Sequence, residues 1–434
     1  MSIEIIGMLV LFATFFGMLA YGVPVAYSIG ISTTLTILLS IAFVPGVATV
    51  AQRMTTGIDS FALLAIPFFV LAGELMNKGG VAQRLINLAK SLVGSLPGGL
   101  AYVNTLAAML FGAVSGSAVA AASAIGSVMT RPMEDEGYPR PFSAALNITA
   151  STTGLLIPPS NVLIVYALAS GGSASVAALF VAGYTPGILV GLALMLVAAF
   201  VARKRRFPRG QRVPLAQIWT DFRRAIFSLL MLVVVVGGIV GGVFTATEAA
   251  AVAVLYALVL ALAYRTVTVN ELPAILLASA RTTATVMFLI CTSMAMSWLF
   301  SFGRIPQMMT AFLLETVSSP VLIFLLINLT LLVVGTFMDI TPAVLIFTPI
   351  FLPVVTGLGM DPVHFGIIMV LNLCVGLCTP PVGTILFVGA GVAKISVASV
   401  IRPLAPFLLA MVAVLLVLTF FEDLTLWLPR AFGL

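Results

Sequence analysis

The chain has 434 residues, of which 61% are hydrophobic and only 8% charged, with a formal net charge of +6. Soluble domains run at about 25% charged and about 45–50% apolar, so a large soluble core protein is excluded and an integral membrane protein is expected. Apolar runs of about 18 residues or more recur, giving roughly 11–14 hydrophobic segments, several of them broken.

In chain order, the first run, Ile5 to Val23, lacks a basic leader and a clear small-residue cleavage site, so it is expected to be retained as a span. Glu74 and Lys78 follow in a second apolar stretch at i, i+4, the spacing of a helix ion pair at a span end. Phe111-Gly112-Ala113-Val114-Ser115-Gly116-Ser117 is an irregular small-residue element, followed by a polar turn over Glu134 to Arg140. Then Gly154-Leu155-Leu156-Ile157-Pro158-Pro159-Ser160-Asn161-Val162 places two prolines inside an apolar run. Proline in a helix interior costs about 3 kcal/mol, and in a bilayer the freed carbonyls have no water to turn to.

A span over Leu179 to Ala202 leads into a basic linker carrying Arg203, Lys204, Arg205, Arg206, Arg209, Arg212, Arg223 and Arg224. The linker lies between spans, so the positive-inside rule and contact with anionic lipid explain it better than nucleic acid, and it is expected in the cytoplasm. Further spans read as Ala225 to Thr247 and Pro403 to Phe421. Thr245 and Glu248 have capping-box spacing at the first of these ends, giving Glu248 a structural role. Cys291, Cys374 and Cys378 sit in apolar segments and read as small buried residues; His364 is the only histidine, so a metal pair is not expected.

The second half repeats the plan of the first. Val334-Gly335-Thr336-Phe337-Met338-Asp339-Ile340-Thr341-Pro342 matches the small-residue element, and Gly357 to Pro362 supplies the turn. Gly376-Leu377-Cys378-Thr379-Pro380-Pro381-Val382-Gly383-Thr384 matches the proline break. The offsets are 380 − 158 = 222 for the prolines and 335 − 112 = 223 for the glycines. The expected architecture is an all-α polytopic membrane protein with two internal repeats in inverted relation. The first, 1–203, holds a helical hairpin over about 98–131 and a discontinuous helix over about 140–168. A cytoplasmic linker, 204–224, separates it from the second, 225–434, with a hairpin over about 320–356 and a discontinuous helix over about 362–397. Such repeats mark secondary transporters, and matched Gly/Pro-interrupted segments point to the binding site.

A broken helix offers carbonyls at one end, which suit a hard cation such as Na⁺, and N–H groups at the other, which suit a carboxylate. Hydroxyl oxygens at Ser115, Ser117, Ser151, Thr152, Thr153, Ser160, Thr336, Thr341, Thr379 and Thr384, the Asn161 amide and the Asp339 carboxylate cluster around these breaks. Asp339, an acid amid apolar residues, is open to three roles: cation ligand, proton carrier or helix cap. Arg53, Arg281 and Arg304 are weaker candidates for a second acidic group on the solute. No H-E-x-x-H, no credible G-x-S-x-G and no paired intramembrane aspartates occur, so an intramembrane enzyme is not expected, and two matched breaks suit alternating access better than a channel.

These residues resemble the large membrane subunit of tripartite ATP-independent periplasmic (TRAP) transporters. The likeness runs from Tyr21-Gly22-Val23-Pro24 through Ile66-Pro67-Phe68-Phe69 and Ser115 to Leu189, then Phe244-Thr245-Ala246-Thr247-Glu248, and on to the Gly335 and Cys378 motifs. It implies a bacterial inner-membrane permease, coupled to Na⁺, working by an elevator motion on an organic acid such as a C4-dicarboxylate, sialic acid or a sugar acid. It also implies a separate small four-helix subunit and a periplasmic substrate-binding protein. Thr-Ala-Thr-Glu at 245–248 stands where many members carry Thr-Pro-Thr-Glu, and the Ser115–Ala120 run lacks a further hydroxyl or acid found in many; both leave the substrate open.

By position, the Na⁺ candidates are Ser115, Gly154 and Pro158 in the first half. In the second half they are Gly335, Thr336, Asp339, Thr341, Gly376, Thr379 and Val382. Substrate candidates are Ser115, Gly116, Ser117, Ser160, Asn161, Met338 and Thr384, with Pro159, Pro380, Pro381 and Glu248 as structural residues. The competing expectation is a stand-alone Na⁺- or proton-coupled dicarboxylate transporter; no catalytic residue, cofactor or nucleic-acid partner is expected.

Overall fold

The computed structural model describes residues 3–210, 213–317, 319–380 and 382–434, so Arg212 and Pro381 lie outside the described residues. Its elements are helices joined by short turns, with an isolated antiparallel bridge between Pro97 and Arg209. The lead-in helices are α1 (Ile3–Ala20), α2 (Val25–Ser40), α3 (Phe43–Ile58), α4 (Ala65–Lys78) and α5 (Val81–Val93). Two antiparallel helices follow, α6 (Gly99–Ser115) and α7 (Ala118–Asp135), and then an interrupted helix formed by α8 (Arg140–Ser151), α9 (Thr153–Leu156) and α10 (Asn161–Ala169). A long helix, α11 (Val176–Arg205), closes the first half.

Beyond the basic linker come α12 (Leu215–Val240), α13 (Ala246–Ala263), α14 (Leu272–Phe302) and α15 (Ile305–Thr316). The same succession then returns: α16 (Pro320–Gly335) and α17 (Ile340–Gly357), the interrupted helix α18 (Pro362–Cys378) and α19 (Thr384–Ala393), and the long α20 (Val397–Phe420) with a short α21 (Asp423–Ala431). The Ala225 to Thr247 run is divided by a turn after Val240, where Gly242 takes φ +68°, and Thr245 starts α13. Glu248 and Thr245 close that start with a capping box, and the Thr247 hydroxyl donates to the Phe61 carbonyl at 2.9 Å, tying α13 to the turn before α4.

Among the described residues, seven helices are long and apolar enough to cross a membrane, or eight if the pair bent by 51° at the first break is one span. The remaining apolar segments are helices of 10–17 residues, among them α6, α16, α18 and α19. At 1.5 Å per residue, 17 residues reach about 25 Å, short of a hydrocarbon core about 30 Å thick. Hydropathy counts such pieces with full spans, which is why a sequence count of segments runs above the number of complete crossings.

The halves are packed into each other. The first half's α10 lies against α17 and α18 of the second, and the second half's α19 lies against α7 and α8 of the first. Close crossings hold each interrupted helix to the first helix of the hairpin before it. A Cβ placed on Gly112 of α6 would sit 2.5 Å from the Gly154 Cα, and one on Gly376 would sit 2.5 Å from the Gly335 Cα. Small residues at helix crossings allow this approach in lipid, where packing rather than water exclusion drives association. Around this centre, α4 packs on α13, α5 on α12, and α14 on α2 and α3, while Leu192, Leu196, Phe200 and Leu409 project from the long helices into the lipid region.

Candidate functional site

The first tip joins α6 to α7. Gly116 adopts φ +62°, the left-handed conformation that ends a helix at low cost for glycine, and Ser117 caps α7 by accepting the Ala120 N–H at 3.2 Å. A Cβ on Gly116 would stand 2.9 Å from the Pro159 carbonyl oxygen, so this tip is seated on the first helix break. At the break, Ile157 turns to extended backbone after α9, and α10 restarts after Ser160. Pro158 and Pro159 are buried, and the Ser160 hydroxyl donates to the Leu155 carbonyl at 2.7 Å, satisfying an acceptor that the break leaves open. The Asn161 side-chain oxygen is buried with no hydrogen-bond partner.

The second tip joins α16 to α17. Thr336 donates its hydroxyl to the Val333 carbonyl at 2.7 Å, and Met338 is buried. Asp339 occupies the cap position of α17 but makes no side-chain capping hydrogen bond. Asp339 thus stands at the start of α17 and beside a cavity. At the second break, α18 ends at Cys378 and the Thr379 hydroxyl returns to the Val375 carbonyl at 2.7 Å. Pro380 is half-buried, while Val382 and Thr384 are exposed.

Both tips and both interrupted helices meet at one cavity of about 190 Å³. Ser115, Gly116 and Ser117 line it from the first tip, Asp339, Ile340 and Thr341 from the second, Leu155 and Asn161 from the first interrupted helix, and Leu377 and Ile385 from the second. Of the residues singled out from sequence, Ser115, Gly116, Ser117, Asn161, Asp339 and Thr341 are thus brought together. Gly154, Pro158, Ser160, Gly335, Thr336, Met338, Gly376, Thr379, Val382 and Thr384 are not among its lining residues. Gly154, Gly335 and Gly376 instead form the helix crossings described above. Arg53, Arg281 and Arg304 are also absent from the lining; Arg53 lies over the Trp298 ring at 5.4 Å.

The sequence reading missed three polar cavity residues: Glu74 and Asn77 of α4 and Thr282 of α14. No ion pair joins Glu74 to Lys78, so the expected helix-end pair is not formed. Gly73 holds α4 close to the first tip, since a Cβ there would lie 2.8 Å from the Ser115 carbonyl oxygen. An acid within the apolar stretch of α4 was the available signal; a threonine on α14 offered none. The cavity therefore carries two carboxylates, Glu74 and Asp339, and no lysine or arginine. Cys374 and Cys378 direct their thiols to the Thr152 and Ile148 carbonyls, each at 3.7 Å, and no metal-ligating cluster occurs among the described residues.

A multi-pass helical membrane protein with a cavity carrying two carboxylates where two tips and two interrupted helices meet has the form of a transporter. The sequence pattern described as "Tripartite ATP-independent periplasmic transporter, DctM component" matches residues 12–424. The chain is 53% identical over 425 residues to the uncharacterized protein YgiK of Salmonella typhimurium, covering 98% of both chains. It is 39% identical over 439 residues to the C4-dicarboxylate TRAP transporter large permease protein DctM of Rhodobacter capsulatus, covering 98% of this chain and 99% of that one. In fold it is similar to the solved structure of the Alcanivorax borkumensis YdaH transporter, with a TM-score of 0.64 at 16% identity over 89% of this chain and 90% of that one. The chain belongs to the DctM family of TRAP transporter large permeases. It is a multi-pass inner-membrane transport protein and not an enzyme.

Proposed function

We propose that this permease imports an organic acid by Na⁺ symport, with the solute held in the cavity between the two tips. The observation that carries the reading is the convergence of Ser115–Ser117, Asn161, Asp339 and Thr341 on one cavity that has two carboxylates and no basic side chain. An anion entering such a space meets like charge, and a co-bound cation offsets that repulsion while using the same carboxylate and hydroxyl oxygens. Helix starts at Ala118 and Asn161 supply N–H groups for the anion. The C4-dicarboxylate permease among the relatives supports a carboxylate solute, with sialic acid and sugar acids as the other members of the class.

The family works with a small membrane subunit and a periplasmic binding protein, and we assign both to this chain as separate partners. The matched order of tip, crossing and break supports two inverted repeats, which move the cavity across the membrane as an elevator against the α4 and α14 wall. The stand-alone dicarboxylate transporter is not favoured by any feature of the site. The test is uptake of a labelled C4-dicarboxylate into vesicles holding this chain with its small subunit and binding protein. Asp339→Ala should raise the Na⁺ concentration for half-maximal uptake by about tenfold, the loss of about 1.4 kcal/mol of cation binding. An unaltered Na⁺ dependence in a variant that still transports would overturn the coupling role.

A further inference from the structure

A second large cavity lies away from the transport site. It is a groove of about 1090 Å³ between the start of α8, the end of α11 and the first turns of α20. Its walls include Phe142, Leu196, Phe200 and Pro406; Leu196 is 72% and Phe200 69% exposed. Along α11 the apolar positions come first and Lys204 and Arg205 last, while along α20 Arg402 comes first and Pro403 and Pro406 follow. The two helices run in opposite directions here, so the three cations gather at one end and the apolar wall extends from it. That end adjoins the basic linker and faces the cytoplasm by the positive-inside rule.

No carboxylate lines the groove, and none of the three cations is ion-paired among the described residues. Arg140 at the start of α8 shows the contrast: it is paired with Glu134 at 2.7 Å and does not line the groove. Three unpaired like charges beside an apolar wall match one kind of occupant, an anionic head on hydrocarbon tails. We infer that this groove binds an anionic phospholipid, with its phosphate at Lys204, Arg205 and Arg402 and its acyl chains along Leu196 and Phe200. Basic pockets between helices on the cytoplasmic side recognise such headgroups through charge. A zwitterionic lipid gains less, because its own ammonium opposes the cations.

The test is a titration of the full-length chain in detergent with phosphatidylglycerol, or separately with phosphatidylcholine, followed by native mass spectrometry of the first lipid bound. Phosphatidylglycerol should bind at least about tenfold more tightly. A near-surface cation contributes about fivefold to such binding, so Lys204→Gln/Arg205→Gln/Arg402→Gln should weaken it on the order of 100-fold. Arg203→Gln/Arg206→Gln/Arg209→Gln removes equal charge outside the groove and should change it by less than about threefold. Arg402→Gln alone, about fivefold, serves if the triple variant does not fold. Equal losses in both triple variants, no loss in either, or competition by glycerol phosphate as effective as by the lipid would overturn the assignment.

Discussion

Asp339 and Glu74 show what a single carboxylate can signal inside an apolar chain. Asp339 is open to three readings from sequence, and the structure sets it at the start of α17 on the cavity lining. Glu74 looked like half of a helix pair because Lys78 stands four residues on, yet the two do not meet and the acid lines the same cavity. The glycines carry a prediction at this scale. Gly154 and Gly376 leave no room for a methyl group, since the added Cβ would be 2.4 Å and 2.5 Å from a partner Cα. Gly154→Ala and Gly376→Ala should therefore each destabilise by about 1–3 kcal/mol, read as a lower melting temperature in detergent. Gly17→Ala, on a helix with nothing within 4 Å of the new Cβ, should leave melting unchanged or raise it slightly.

At the scale of elements, interrupted helices hold their geometry only where neighbours satisfy the freed groups. In the first break Ser160 does this within the chain itself, through the Leu155 carbonyl. In the second half a buried chain of polar side chains ties three helices together. Asn372 of α18 donates to the Asn328 side-chain oxygen of α16 at 2.9 Å, and Asn328 donates to the Thr419 hydroxyl of α20 at 2.9 Å. Replacing Asn372 by alanine strands the Asn328 oxygen in an apolar interior, at a cost of about 1–3 kcal/mol. Thermal melting should fall accordingly, whereas Asn372→Ala would melt like the parent protein if the network contributed nothing. Sequence periodicity does not reveal this network, because its members are 44 and 91 residues apart.

For the whole molecule, the proposed elevator motion defines which surfaces would slide. The cavity is lined by the tips and interrupted helices and by α4 and α14, so the proposed elevator motion would shear the boundary between these two sets. Asn77 of α4 and Val119 of α7 both line the cavity, one on each of the two sets of elements. In a background with Cys291, Cys374 and Cys378 replaced, cysteines at these two positions joined by a bifunctional methanethiosulfonate reagent should stop uptake reversibly, with reductant restoring it. Full transport by cross-linked protein would rule out sliding at this boundary.

Much of the architecture was legible before any coordinates. The apolar content forces backbone groups to be satisfied within each segment, which dictates helices. Paired prolines interrupt those helices, which marks the breaks at 154–162 and 376–384, and runs of glycine and hydroxyl residues mark the tips at Ser115–Ser117 and Gly335–Thr341. Local chemistry determines these features, because each depends on residues a few positions apart. The tertiary structure alone decided which of those polar atoms share a space. It brought Ser115, Asn161 and Asp339 to one cavity, turned Gly154 and Gly376 into packing contacts, left Thr384 outside, and added Glu74, Asn77 and Thr282 from distant helices. Such meetings depend on how helices cross, and crossing is set by the fit of whole surfaces in three dimensions, a quantity that no short stretch of sequence contains.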